Sequence, residues 1–175
     1  MRGKRLRVSL LGCLFVLLLA GCKTVPPAPT QAGGARTQML VLSDRGAEST
    51  MNPRQYQYRQ ELGQWMESDL IRILNKAGYD ARMVQKQTDF TPAAGRYLLT
   101  VKIDSYNPGS NVARMMVGYG AGSASLNNSY ALYGSETNAI LTWKDGCGTS
   151  EHWTRLPRKL NENAVKKIST ALGGR

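Results

Sequence analysis

The chain has 175 residues, with 23 Lys and Arg against 12 Asp and Glu, one His and three Cys. That length supports one domain with a real core. A single His and scattered thiols do not supply the three or four ligands at recognisable spacing that zinc needs, so no metal and no other cofactor is expected.

At the amino terminus, Arg2, Lys4, Arg5 and Arg7 precede an apolar run from Val8 to Ala20 that only Ser9 and Gly12 interrupt. A membrane-crossing helix needs about 20 apolar residues. This run of about 13 fits the apolar part of an export signal instead. It ends in Leu19-Ala20-Gly21-Cys22, which resembles the lipobox of bacterial lipoproteins. The resemblance implies a diacylglycerol on the Cys22 sulfur, signal-peptidase cleavage between Gly21 and Cys22, and an acylated new amino terminus. Lys23, where Asp would favour inner-membrane retention, leans towards the outer membrane. One acyl chain binds a bilayer only marginally, at about 0.8 kcal/mol per buried methylene, whereas two or three anchor it firmly. The expected division is a signal peptide over residues 1–21, a lipidated Cys and flexible tether over 22–36, and one globular periplasmic domain over 37–175. Pro26, Pro27, Pro29, Gly33 and Gly34 mark the tether.

Four of the 23 bases fall in the first 21 residues, leaving 19 against 12, a charge of +7. In an exported protein that charge points either to anionic phospholipid, lipopolysaccharide phosphate or peptidoglycan carboxylate, or to a solvated basic surface with no dedicated ligand, and not to nucleic acid. Cys13 leaves with the signal and Cys22 is lipidated, so Cys147 alone stays a thiol and no intrachain disulfide is expected.

Met39 to Leu42 reads as a first buried strand. Asn52-Pro53 is an N-cap followed by proline at the first helical position. Tyr58, Leu62, Trp65, Met66, Leu70, Ile73, Leu74 and Ala77 then recur at spacings of three and four on one helix face. Gly78 ends that helix, and Glu67 and Asp69 read as its solvated side. Asp80 to Val84 returns to the sheet. From Arg96 to Tyr106, Tyr97, Leu99, Val101 and Ile103 alternate with Thr100, Lys102 and Asp104, which predicts a half-buried strand stopped by Asn107-Pro108-Gly109. Two more strands follow, one through Ala124 to Leu132 and one through Thr137 to Trp143. A Gly134-Ser135 turn is expected between them. Asn127, Asn128 and Ser129 interrupt the apolar alternation of the first and leave the sheet edge open. Asp145 to Ser150 reads as a glycine-rich turn. Leu160, Ala164, Val165, Ile168 and Leu172 predict a terminal helix ending at Gly173 and Gly174. The expected fold is α/β: a mixed sheet of about five strands with a long amphipathic helix and a C-terminal helix packed on it.

The run Tyr97 to Gly109, followed by Val117-Gly118-Tyr119-Gly120-Ala121-Gly122-Ser123-Ala124-Ser125-Leu126, resembles a family of bacterial lipoproteins that carries a domain of unknown function. The element order is also similar to the amino-terminal domain of the translocation protein TolB and to the curli-secretion-channel lipoprotein. Fold analogy of that kind assigns no function.

Gly118, Gly120 and Gly122 do not make a phosphate-cradling loop, because a strand and not a helix follows them and no Gly-Lys-Ser/Thr is present. They read as backbone geometry, or with Tyr119 as a contact for a partner. Cys147 and His152 are the one thiol–imidazole combination, and a nucleophile would also need a third, orienting group. The basic run Arg155, Arg158, Lys159, Lys166, Lys167 and Arg175 reads as a solvated helix face. No catalytic set emerges.

The sequence therefore predicts a non-enzymatic, lipid-anchored envelope protein that scaffolds or recruits a protein partner. The alternatives are a subunit of an oligomeric outer-membrane secretion or transport complex and, behind it, a Cys147-dependent enzyme. The oligomeric state is left open. Cys22→Ala should give an uncleaved or released chain in membrane flotation; a Cys22→Ala chain still cleaved and still floating would refute the lipidation.

Overall fold

A computed structural model gives the structure, which describes residues 27–30, 34–48, 50–109, 122–136 and 138–173. Five strands form one sheet: β1 (Gln38–Asp44), β2 (Asp80–Val84), β3 (Arg96–Asn107), β4 (Ala124–Tyr133) and β5 (Ala139–Thr149). Their order is β2-β1-β3-β4-β5. β1 runs parallel to β2 and β3, while β3–β4 and β4–β5 are antiparallel. Two helices, α1 (Pro53–Lys76) and α2 (Arg155–Gly173), complete the expected α/β architecture.

The start of α1 follows from its sequence. The Asn52 side chain accepts from the Gln55 amide at 2.9 Å, and the Gln55 side chain reaches back to the Asn52 amide. This reciprocal pair satisfies donors that a helix start leaves without partners. At the other end Gly78 has φ of 99°, the left-handed conformation that stops the helix. Both helices lie on one face of the sheet. Met39, Val41, Leu99, Val101, Leu126 and Leu132 meet Leu62, Met66, Leu70 and Leu74 of α1 and Leu160, Val165 and Ile168 of α2 in one core. No helix among the described residues is long and apolar enough to cross a membrane.

Part of the expected tether lies on the domain. The Ala28 amide donates to the Ala77 carbonyl at 2.7 Å, and the Thr37 hydroxyl to the Pro29 carbonyl at 2.6 Å. Residues 1–26, including Gly21 and Cys22, lie outside the described residues.

The structure corrects four local expectations. β4 is continuous through Asn127-Asn128-Ser129 and is not a sheet edge, because Asn128 occupies a core-facing position and is fully buried. The residues between β4 and β5, 134–138, are longer than a two-residue turn. Asp145 to Thr149 continues β5 instead of forming a turn. A Cβ on Gly146 would lie 2.1 Å from Asn127 Oδ1, so glycine is what lets the paired strands close there. Finally, Asp69 is 6% exposed and not solvated, while Glu67 pairs with Arg45 at 2.7 Å.

A register shift between Ile103 and Ser105 makes Asp104 an extra residue in β3. The bulge resets the alternation, so Tyr106 returns to the core side. Beneath it, Asn128 Nδ2 donates to the Tyr130 hydroxyl at 2.9 Å, and Asn128 Oδ1 has no partner. Asn128→Leu alone should destabilise by about 1–3 kcal/mol, since it orphans the Tyr130 hydroxyl. Adding Tyr130→Phe should recover most of that loss in chemical denaturation. A double variant no better than the single one would show that the pair is not the unit of stability.

Candidate functional site

Three places carry the chemistry-bearing residues: the Cys147 neighbourhood, the root of the glycine segment, and a cleft beside the start of α1. Cys147 lies on the helix-facing side of β5. Its Sγ donates to the Leu156 carbonyl at 3.5 Å, and burial pushes its thiol pKa up. An activated thiolate needs the opposite shift. His152 bonds Thr154 at 2.9 Å and leans on Trp153. No hydrogen bond joins Cys147 to His152. No group of His, Cys, Asp and Glu among the described residues could hold a metal ion.

Of the glycine segment, Gly118, Tyr119 and Gly120 lie outside the described residues, and Gly122 lies at its foot. Gly122 has φ of 66° and Gly109 φ of 78°. A Cβ on Gly109 would lie 2.5 Å from the Gly122 carbonyl oxygen. The Asn107 side chain caps this turn, with its Oδ1 accepting from the Gly109 amide at 2.9 Å. The two ends of the segment therefore meet at the end of the β3–β4 pair, where β-carbons have no room.

Beside that root is a cleft of about 460 Å³, lined by the first turns of α1 and the end of β3. Arg54, Tyr58, Arg59, Tyr106 and Asn107 line it. Arg54 Nε donates to the Tyr58 hydroxyl at 2.9 Å, and its guanidinium lies 5.6 Å from the Tyr58 ring centre. Arg59 is 8% exposed and donates from Nη1 to the Ile103 carbonyl at 3.1 Å. Sequence periodicity could have found Arg59, because it stands three residues before Leu62 on the apolar stripe of α1. The expectation that Arg is solvated hid it. Asp69 was hidden in the same way.

On α2 the basic run is partly paired: Arg155 with Glu151, and Arg158 with Glu162 and Asp69. Lys167 lies over the Trp143 ring, which in turn stacks on Tyr130 at 4.8 Å.

These residues describe an α/β domain with one helix layer, a half-buried thiol and a cleft lined by arginine and tyrosine. Residues 36–144 match the family described as "Domain of unknown function (DUF4410)", and the chain belongs to it. No curated protein matches the chain. Among solved structures, a PelC variant of Paraburkholderia phytofirmans, solved as a dodecamer, is similar at a TM-score of 0.50 and 16% identity. The match covers 85% of this chain and 93% of that one. A second PelC dodecamer from the same organism gives a TM-score of 0.44 and 17% identity, covering 83% and 92%. At these identities the likeness is one of fold. The similarity to TolB and the curli-channel lipoprotein stays an expectation from element order.

Burial also raises the pKa values of Tyr79, Tyr106 and Tyr130, as it does that of Cys147. All four groups are neutral when protonated. The unfolded chain therefore releases these protons first, and the stability they support is complete only below their unfolded values. Stability should fall as pH rises beyond about 9 for the thiol and about 10 for the tyrosines. Urea titrations between pH 8 and 11 should show this decline, with a shallower slope in Tyr130→Phe. A flat profile would contradict the burial of these hydroxyls.

Proposed function

We propose that the protein is a lipid-anchored envelope lipoprotein, held by acyl chains on Cys22 at the periplasmic side of the outer membrane. It acts as a non-enzymatic scaffold assembled from several copies of itself. The observation that carries the assembly is the sheet face opposite the helices. Leu40 and Leu98 pair side by side there and are buried within the chain itself, at 1% and 0% exposure, while Leu42, Val84, Ala131 and Tyr133 around them are only half-buried. No helix among the described residues packs on that face. Apolar residues on a sheet face are normally covered by another layer, and a second copy of the domain completes the cover of Leu42, Val84, Ala131 and Tyr133.

Two further points favour this reading. A fold similar to this one, in PelC, was solved as a dodecamer. Lipid anchoring would also hold all copies in one plane, which raises their effective concentration without any new contact. The thiol-enzyme alternative draws nothing from Cys147, whose geometry favours the neutral thiol. Recruitment of a different envelope protein through Gly118, Tyr119, Gly120 and Gly122 rests on sequence alone.

Light scattering of the full chain in mild detergent tests the assembly. The expected mass is a multiple of the chain. Leu42→Glu should give monomers with nearly unchanged melting, while Lys159→Glu on the far side of α2 should leave the assembly intact. A wild-type chain that stays monomeric at every concentration would overturn the proposal.

A further inference from the structure

The cleft at the start of α1 gathers positive groups and donors without a carboxylate of its own. Neither Asp nor Glu lines it. Arg59 has more than nine-tenths of its surface buried, yet the described residues place no carboxylate within ion-pair distance of it. Glu48, Asp104 and Asp44 act on it only from a distance, and burial lowers its pKa. These carboxylates and the Ile103 carbonyl offset part of the cost of burying the guanidinium, and an anion placed against it would offset more.

The position of Arg59 is built into the backbone. Its Nη1 takes the carbonyl of Ile103, at the β3 bulge. Gly46, at φ of 58°, closes over this contact. A Cβ there would lie 2.2 Å from the Ile103 oxygen and 3.3 Å from Nη1. One donor of the fork is thus fixed to the sheet, and Arg59 is one of the residues that line the cleft.

The remaining groups have the same sense. Arg54 is in no ion pair among the described residues and is held against Tyr58. The Tyr58 hydroxyl accepts from Arg54, which leaves its own proton to donate. Asn107 Oδ1 is used by Gly109, which leaves its amide nitrogen to donate. Met51 and Asn52 bring the positive end of the helix α1 to the same cleft. Tyr58 and Tyr106 supply aromatic surface beside these donors. The volume lies within the range of small-ligand sites, roughly 300–1,000 Å³.

We propose that this cleft binds a phosphate monoester, its oxygens held by Arg59 and Arg54 and its organic part lying against Tyr58 and Tyr106. A phosphate monoester carries about −1.5 to −2 charge near neutral pH and three acceptor oxygens. It therefore matches two guanidiniums and the neighbouring donors better than a single carboxylate does. Such a group comes either from the phosphorylated headgroup of a lipid or from a soluble phosphorylated sugar. The binding is independent of the assembly proposed above.

Calorimetric titration of the full chain tests this, in a maltoside detergent and phosphate-free buffer at constant ionic strength. The probes are inorganic phosphate, glucose 6-phosphate and a short-chain phosphatidic acid. The expected result is saturable binding of at least one of the two esters, tighter than that of inorganic phosphate. Preference for glucose 6-phosphate identifies a soluble source, and preference for phosphatidic acid a lipid one. Arg59→Gln and Arg54→Gln should each weaken the ester about tenfold or more, as loss of a charge-assisted contact requires. Arg54 is exposed, so its variant reports on binding even if Arg59→Gln fails to fold. Tyr106→Leu should weaken the ester but not inorganic phosphate. No saturable binding in the millimolar range, binding of inorganic phosphate alone, or equal affinity in Arg54→Gln would each overturn the proposal.

Discussion

One amide sets how the two helices lie on the sheet. Asn161 Nδ2, fully buried on α2, donates to the Met66 carbonyl at 3.0 Å and to the Asp69 carboxylate at 3.1 Å. Asp69 also takes Arg72 from its own helix and Arg158 from α2. A buried carboxylate is tolerable only with partners of this kind. Sliding α2 by one turn would move Pro157 or Val165 into the place of Asn161 and leave Asp69 without that amide, with Arg72 of its own helix as the partner that stays. The apolar residues of α2 would pack in several registers; the polar junction permits one. Asn161 Oδ1 remains without a partner, a penalty the junction carries.

A similar device ties the helix layer to the outer strands. Tyr130 of β4, bonded to Asn128, stacks on Trp143 of β5, and Lys167 of α2 lies over that ring. The β3 bulge at Asp104 acts on the same layer from the other side. It returns Tyr106 to the helix face just where the start of α1 passes, and it presents the Ile103 carbonyl to Arg59. The cleft thus exists because a helix start and a strand irregularity coincide.

Much of this fold was legible because its signals are periodic and local. The α1 stripe, the Asn52 cap, Gly78 and the alternation in β3 each have one physical reading, and the structure has all four. The misses have one cause. Arg59, Asp69, Asn128 and Asn161 are polar residues at core-facing positions, and polarity outweighs periodicity when a sequence is read alone. Arg59, Asp69 and Asn161 have partners 44 to 95 residues away, which no window contains. Gly146 and Gly148 misled in the opposite sense. They read as a turn, but both lie in β5, and at Gly146 the Asn127 side chain of β4 needs the space that a missing Cβ provides. The cleft was illegible for the same reason as Arg59, since part of its wall, Tyr106, Asn107 and Pro108, comes from the distant end of β3.

The length of α1 relates the proposed anchor to the cleft. The chain coming from Cys22 meets the domain at Ala28, beside Ala77, at the carboxyl end of this helix. The cleft lies at the amino end. A helix of 24 residues is about 36 Å long at 1.5 Å per residue. The few residues from Cys22 to Ala28 reach at most about 20 Å when extended. A domain standing upright on that tether holds the cleft far beyond its own leaflet's headgroups, where only a soluble ester reaches it. A domain lying along the membrane brings Arg54, exposed on α1, towards those headgroups. The identity of the ester is therefore also a statement about posture. An assembly that covers Leu42 and Ala131 on the open sheet face narrows the choice further, because the sheet normal, and with it the axis of α1, is fixed by the neighbouring copy.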